Sequence, residues 1–413
     1  MKFAFVSHIL PPSWSGQAVV IYRLLKELNP NDYCLISRES YDDLSASKDE
    51  STGRLPARYY QLPPLFQKKI GRIIGLNRGF INIPVNILAR ARRIAHIIRR
   101  ENCQAVVACT GDLYDLPASY LASRLARVKF YPYIFDYYSQ QWIDKKPRRI
   151  AERFEPIMMK RAAGIIVPNE FMRDELRRRY NVEATVIRNC CDLSLYESSA
   201  DESLADTVSD TMGTVEEGVG GERDEVNGHD VRIVYTGALS EAQIEAFRNL
   251  MEALALLSDT ETKLHLYTAQ SPEMLAERGI KGPIVFHKHQ TVFSIAEVQK
   301  QADILFLPLS FNSPYPEIIK TSAPGKIGDY LAARRPILVH APSDSFLAWY
   351  FREHDCGLVV DENDPAKLAA GIKRLLYDED LRRRLCERAW ECVRAEFSDR
   401  ISRARFMQLL ELE

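Results

Sequence analysis

Short apolar runs, each followed by a stretch with apolar residues three or four apart, occur in two successive series, and this pattern constrains the fold more than any other feature. A run of four to six apolar residues suits a buried strand, and regular alternation with helical patterns requires a parallel, doubly wound sheet. In the first series strands are expected at 2–7, 33–37, 105–109, 129–135, 164–168 and 185–187, with helices at 18–28, 85–99, 117–126, 149–162 and 170–180. The second series repeats the plan, with strands at 231–235, 263–267, 284–287, 304–308, 336–340 and 357–360. Its helices are expected at about 241–257, 365–376 and 379–397. The expected fold class is therefore α/β, with two Rossmann-like domains. Open parallel sheets bind ligands outside the carboxyl ends of their strands, so two facing sheets would place two substrates in one central cleft.

Between the two series the composition changes. Residues 198–230 hold ten Asp and Glu against a single basic residue, Arg223, with Gly218, Gly220 and Gly221 close together. Such a stretch cannot bury enough apolar surface to order itself and is expected to be a linker or insertion. The expected division is an N-terminal domain at 1–193, the acidic segment at 194–230, a C-terminal domain at 231–396, and a last helix at 397–413 that packs back on the first domain. A length of 413 residues agrees with two domains. The formal charge of −1 argues against a nucleic-acid partner. The eight cysteines show no zinc-ligand spacing, and several fall in apolar runs, which suits reduced thiols. The opening MKFAFVSHILPPSWSG lacks a signal peptide's apolar run, and no stretch reaches about 18 apolar residues, so a cytoplasmic location is expected.

The chemistry concentrates in residues 321–339, TSAPGKIGDYLAARRPILV, which read as a turn, a short helix and a buried strand. Pro324 is placed at the first helical position, Gly325 leaves the backbone open to a ligand, and Lys326 falls in the first turn beside Ile327. Unpaired N–H groups and a lysine together make an anion site. Asp329 lies three residues on, on the same face, where a carboxylate could accept hydrogen bonds from a sugar hydroxyl. An anion site beside a hydroxyl acceptor suits a nucleotide. Taken alone, the same residues could equally be an ordinary helix start.

The whole chain except the acidic segment resembles the family-4, retaining-type glycosyltransferases of the GT-B fold. Pro11, Pro12, Ser13, Ser15 and Gly16 match the family's loop after the first strand. Residues 186–189 with Asp192 approach its "IpNGvD", with Cys190 where glycine is usual. Tyr235 to Gly237 match "YxG", and Pro324, Lys326, Asp329, Tyr330, Leu331, Ala332, Ala333 and Pro336 match "PsKxxEYLAaGkPvl". The resemblance is to the branch with the proline-lysine motif. It implies transfer of a sugar from a nucleotide-diphosphate sugar to an acceptor hydroxyl with retention and no obligatory metal or other cofactor. Gly237, Ala238, Gly325 and Lys326 would then stabilise the leaving diphosphate, and Asp329 would bind the donor ribose in place of the family's second glutamate. Thr321 stands at the position of the first glutamate, which addresses the donor sugar. The loop after Gly237 lacks the arginine and lysine that many relatives aim at the diphosphate.

On the acceptor side, Asp136 ends an apolar strand and could orient or deprotonate an acceptor hydroxyl, or simply cap a turn above Tyr137, Tyr138 and Trp142. His8, after the first strand, joins Ser15 and Gly16 in the acceptor-side loop. His287 and Lys288 follow a strand where relatives hold the nucleotide base. Residues 68–100 carry nine Lys and Arg and no acidic residue, interleaved with apolar side chains. Such a surface can lie on anionic lipid, with Lys145, Lys146, Arg148 and Arg149 as a second patch. The acceptor would then be a glycan or a polyprenyl-linked saccharide used in cell-surface polysaccharide assembly, at the inner face of the plasma membrane. The alternatives are a nucleotide-sugar-binding protein that has lost catalysis and a nucleotide-sugar epimerase, which needs a pattern of carboxylates and histidine not found here. A nicotinamide dehydrogenase is disfavoured because neither first loop spells G-x-G-x-x-G.

Overall fold

The computed structural model describes residues 1–13, 15–41, 53–65, 79–142, 144–197, 231–257, 261–288 and 290–411. Residues 66–78 and, from the acidic segment, residues 198–230 lie outside them.

Two wholly parallel sheets form the molecule. The first runs β3-β2-β1-β4-β5-β6-β7, built from β1 (Phe3–Val6), β2 (Tyr33–Ser37), β3 (Arg58–Gln61), β4 (Ala105–Cys109), β5 (Lys129–Tyr133), β6 (Ile166–Val167) and β7 (Thr185–Val186). The second runs β10-β9-β8-β11-β12-β13, built from β8 (Val231–Thr236), β9 (Thr262–Tyr267), β10 (Ile284–His287), β11 (Ile304–Pro308), β12 (Ile337–His340) and β13 (Leu358–Val360). Both sheets reverse direction beside their first strand, between β1 and β4 and between β8 and β11, which opens a crevice at each switch point.

Continuous apolar strands follow from burial on both faces. In β1, Phe3 and Phe5 pack into one core while Ala4 and Val6 pack into another on the opposite face. The central strands are thus legible as unbroken apolar runs. Strand β3 is not, because its Arg-Tyr-Tyr-Gln sequence lies at the sheet edge with both ends exposed.

Residues 379–397 form one helix, Glu379–Cys392, that widens into a π turn over Val393–Phe397 before the chain crosses back. At that crossing Cys191 pairs with Ser398 as an isolated bridge. The last helix, Asp399–Glu411, returns to the first domain, where the Phe406 ring meets Phe3 edge-on at 5.6 Å. Among the described residues no helix is long and apolar enough to cross a membrane.

Candidate functional site

A cavity of about 560 Å³ lies between the carboxyl edges of the two sheets. From the first domain it is lined by Ile9 and Ser13 after β1 and by Ser15, Gly16, Val19, Val20 and Arg23 of the first helix, Gly16–Leu25, with its cap. From the second it is lined by Thr236, Gly237 and Ala238 after β8, Tyr267 and Ala269 after β9, and Gln290, Ile295, Gln299, Gly325, Lys326 and Asp329.

Seven of the residues expected from sequence therefore meet: Ser15, Gly16, Gly237, Ala238, Gly325, Lys326 and Asp329. Their local geometry differs from expectation at several points. The helix after Gly325 begins only at Ile327 and is six residues long. Lys326 is its N-cap, and Pro324 precedes it in a turn whose carbonyl accepts from the Ile327 amide at 3.0 Å. Pro324 is thus not the first helical residue. The Ile327 side chain is core. The helix is held to the β8 turn by Tyr330, whose hydroxyl accepts from the Thr236 amide at 3.1 Å. Thr236 in turn accepts from Gln299 Nε2 at 3.2 Å.

Gly237 has φ +113°, a conformation open to glycine, and a Cβ there would lie 3.4 Å from the Lys326 Nζ. Its amide is already committed to the Tyr267 carbonyl at 2.8 Å, so it has no N–H left for a ligand. The amides of Ala238 and Gly325 form no hydrogen bond among the described residues.

The Lys326 Nζ lies 3.6 Å from the centroid of the Tyr235 ring. Desolvation in the cleft pushes its amine down to about 7, against a smaller upward pull from Asp329. The cation is poorly compensated, and an incoming anion would complete it.

Asp329 departs from expectation in a different way. Its carboxylate is not free: the Arg23 guanidinium reaches it from the first domain, with Nη2 2.9 Å from Oδ1 and Nη1 3.3 Å from Oδ2. Arg23 Nη1 also donates to the Cys190 carbonyl at 3.0 Å. Sequence reasoning missed Arg23, although an arginine inside the apolar run of AVVIYRLL was a visible signal.

The remaining expected residues do not line the cavity. Thr321 ends the helix Pro316–Thr321, where its hydroxyl donates to the Glu317 carbonyl at 2.8 Å and its own carbonyl accepts from Asn169 Nδ2 at 2.8 Å. It is 4% exposed and outside the cavity lining, where the sequence placed it in contact with a donor. His287 stacks on Tyr267 at 4.1 Å and 6°, one layer behind the cavity wall, and burial lowers its pKa. Lys288 beside it is exposed.

His8 packs against Gly111, whose backbone at φ +138° leaves room for the imidazole. Its Nδ1 is buried without a partner, and burial lowers its pKa. Asp136 keeps an exposed face, but the surrounding protein raises its pKa by desolvation. Its amide and that of Phe135 both donate to Thr110 Oγ1, at 3.3 and 2.9 Å. Ser15 spends its side chain on capping the first helix, accepting from Ala18 at 3.2 Å.

This geometry coincides with likeness to known proteins. Residues 14–195 match the family model "Glycosyltransferase Family 4", and residues 230–378 match "Glycosyl transferases group 1". No curated protein matches the sequence. Among solved structures, a glycosyltransferase from Rickettsia africae is 16% identical, with all of both chains covered and a TM-score of 0.66. Sucrose-phosphate synthase from Thermosynechococcus elongatus is 15% identical over 100% of this chain and 98% of that one, with a TM-score of 0.68. The Anabaena protein HepE, solved in complex with UDP-glucose, is 14% identical over the full length of both chains, with a TM-score of 0.68. At these identities the solved structures establish the two-domain fold.

Proposed function

The chain being a family-4-like glycosyltransferase of the GT-B fold, we propose that it moves a sugar from a nucleotide-diphosphate sugar to an acceptor hydroxyl, with retention and without a metal. The observation that carries this reading is the meeting of Gly237, Ala238, Gly325, Lys326 and Asp329 in one cavity between the two sheets. The leaving diphosphate would take the unpaired amides of Ala238 and Gly325 and the Lys326 ammonium, which is the charge stabilisation such a reaction needs at its leaving group. Asp329 would accept from the ribose. The complex of the Anabaena neighbour with UDP-glucose supports a nucleotide-sugar donor of this kind.

Outside the cavity lining, His8 and Asp136 follow the carboxyl ends of β1 and β5 in the first domain, on the side where an acceptor would enter. The raised carboxyl of Asp136 suits a group that shares a proton with an acceptor hydroxyl. Membrane contact would use the described part of the basic stretch. In the helix Gly79–Arg100, Val85 and Leu88 are 44% and 41% exposed, and Arg92, Arg93, Arg99 and Arg100 are exposed further along. An acceptor glycan or a polyprenyl-linked saccharide at the inner membrane face, in polysaccharide or glycolipid assembly, fits that surface.

The test is transfer and donor hydrolysis by the purified protein over a panel of nucleotide sugars, with Lys326→Ala beside the wild type. Loss of one charge-assisted contact to phosphate predicts donor binding weaker by roughly 10- to 100-fold in the variant. Unchanged kinetics in Lys326→Ala would sink the assignment. Binding without turnover across all donors and acceptors would favour the second reading, a donor-binding protein without catalysis. That reading draws on Thr321, whose hydroxyl is bound to Glu317 where a sugar-facing carboxylate is usual in the family.

A further inference from the structure

Arg23 sits in the first helix of one domain and contacts a carboxylate in the other, at the cavity that both domains line. Its side chain is 3% exposed, and its Nε finds no hydrogen-bond partner. A buried guanidinium is costly to desolvate, so its position calls for a strong compensating interaction. Asp329 supplies it: Nη1 donates to Oδ2 and Nη2 makes an ion pair with Oδ1, while the Cys190 carbonyl, in the segment after β7, also accepts from Nη1. The guanidinium fork thus holds the carboxylate by one hydrogen bond and one ion pair, and leaves Oδ1 without a hydrogen-bond partner.

Resting on the donor-site reading above, we infer that Arg23 is a positioning residue of that site, contributed by the opposite domain, which orients the Asp329 carboxylate to receive the ribose hydroxyls of a nucleoside diphosphate. A carboxylate offers about four acceptor positions; the guanidinium takes one on Oδ2, while Oδ1 is buried and accepts no hydrogen bond, which leaves the others for a diol. Without the guanidinium, Lys326 would be the one cation left to Asp329 among the residues that line the cavity. The carboxylate would then turn toward that lysine and occupy the charge intended for the phosphates. Arg23 thereby keeps two functions apart, ribose recognition at Asp329 and anion recognition at Lys326. Because the fork spans the two domains, ribose recognition is complete only when they are closed on one another.

Close packing at the same point supports an interface built to hold this geometry. A Cβ on Gly328, next to Asp329, would lie 2.9 Å from the Cys191 Cβ, so glycine lets the helix approach the segment that holds Cys190 and Cys191. Asn189, in the same segment, donates to the Ala323 carbonyl at 2.9 Å, just before the Pro324 turn.

The experiment compares a nucleoside diphosphate with its 2′,3′-dideoxy counterpart. A thermal-shift screen of the wild type with UDP, GDP and ADP selects the base, and calorimetric titration then measures both forms on wild type, Arg23→Gln, Arg23→Lys and Lys326→Ala. The wild type is expected to prefer the ribose form by about 10- to 100-fold, the worth of hydrogen bonds to a charged acceptor. Arg23→Gln should lose most of the preference and also bind the dideoxy form somewhat more weakly, as Asp329 competes for Lys326; Arg23→Lys should fall between, and Lys326→Ala should weaken both forms alike while keeping the preference. A merely structural arginine would lower the melting temperature and leave the preference intact. An undiminished preference in Arg23→Gln, or in Arg23→Lys where the glutamine variant does not fold, overturns the inference while leaving the donor site standing. A wild type that binds none of the three diphosphates overturns the donor-site reading and the inference with it.

Discussion

A single amine illustrates how the site works at the scale of a residue. Lys326 is pushed down to about 7 because its surroundings desolvate it, so near neutrality it is only partly charged. A bound diphosphate would raise that pKa, and between about 7 and the bound value each binding event would take up a proton. Affinity for a nucleoside diphosphate should therefore be flat below about pH 7 in this term, and fall by up to about tenfold per pH unit above it. Titration from pH 6 to 9 checks this, with Lys326→Met as the control in which the slope disappears. The sign for stability follows from the same shift. The depressed amine costs the unliganded fold most below about pH 7, and the cost is relieved as pH rises toward the ordinary value of 10.5.

At the scale of elements, the site depends on how a six-residue helix is fastened to a strand-end turn. Tyr330 is buried, and its hydroxyl is the partner of the Thr236 amide. Tyr330→Phe would leave that buried N–H unsatisfied, at a cost of about 1–3 kcal/mol, and free the β8 turn to move against Lys326. The expected outcome is a lower melting temperature together with weaker nucleotide binding; a drop in stability with unaltered binding would uncouple the turn from the site. Tyr330 and the Tyr235-to-Gly237 turn were legible in the sequence as separate motifs. Their hydrogen bond was not, because the residues are far apart in the chain and nothing in either motif encodes which hydroxyl meets which amide. The same holds for Asp329, readable as a carboxylate on the right helical face but not as one already held by Arg23. Thr321 shows the same limit: its position in a motif is legible, but only the fold shows that the helix Pro316–Thr321 turns its hydroxyl back on Glu317.

Across the whole molecule, the two domains are joined by buried charge as well as by the returning helix. Arg188, 3% exposed, bridges Glu170 of the first domain and Glu396 of the second, and lies 5.1 Å from the centroid of the Tyr350 ring. Arg188→Ala should cost about 3–5 kcal/mol, since it leaves two carboxylates without their shared partner. Chemical denaturation checks this, and a loss under about 1 kcal/mol would mean that the pair is solvated in solution. The exposed Val85 and Leu88 with the arginines that follow them predict binding to vesicles containing anionic lipid, weakened by salt and by Arg92→Glu/Arg93→Glu. Sedimentation with neutral and anionic vesicles measures it, and equal binding to both would exclude an electrostatic contribution.

The sequence by itself determined the two parallel sheets, apart from the edge strand β3, and the loops after β1, β8 and β11 that line the cavity. Those properties follow from local apolar periodicity and from glycine and proline at turns, which each segment carries independently of the others. Only the tertiary structure decided which side chains remain available in the cavity. It committed the Gly237 amide to Tyr267, withdrew Thr321 from the wall and brought Arg23 to Asp329 from the other domain. Hydrogen bonds and ion pairs between distant residues depend on how sheets and helices dock, and buried polar groups must find partners wherever the docking puts them.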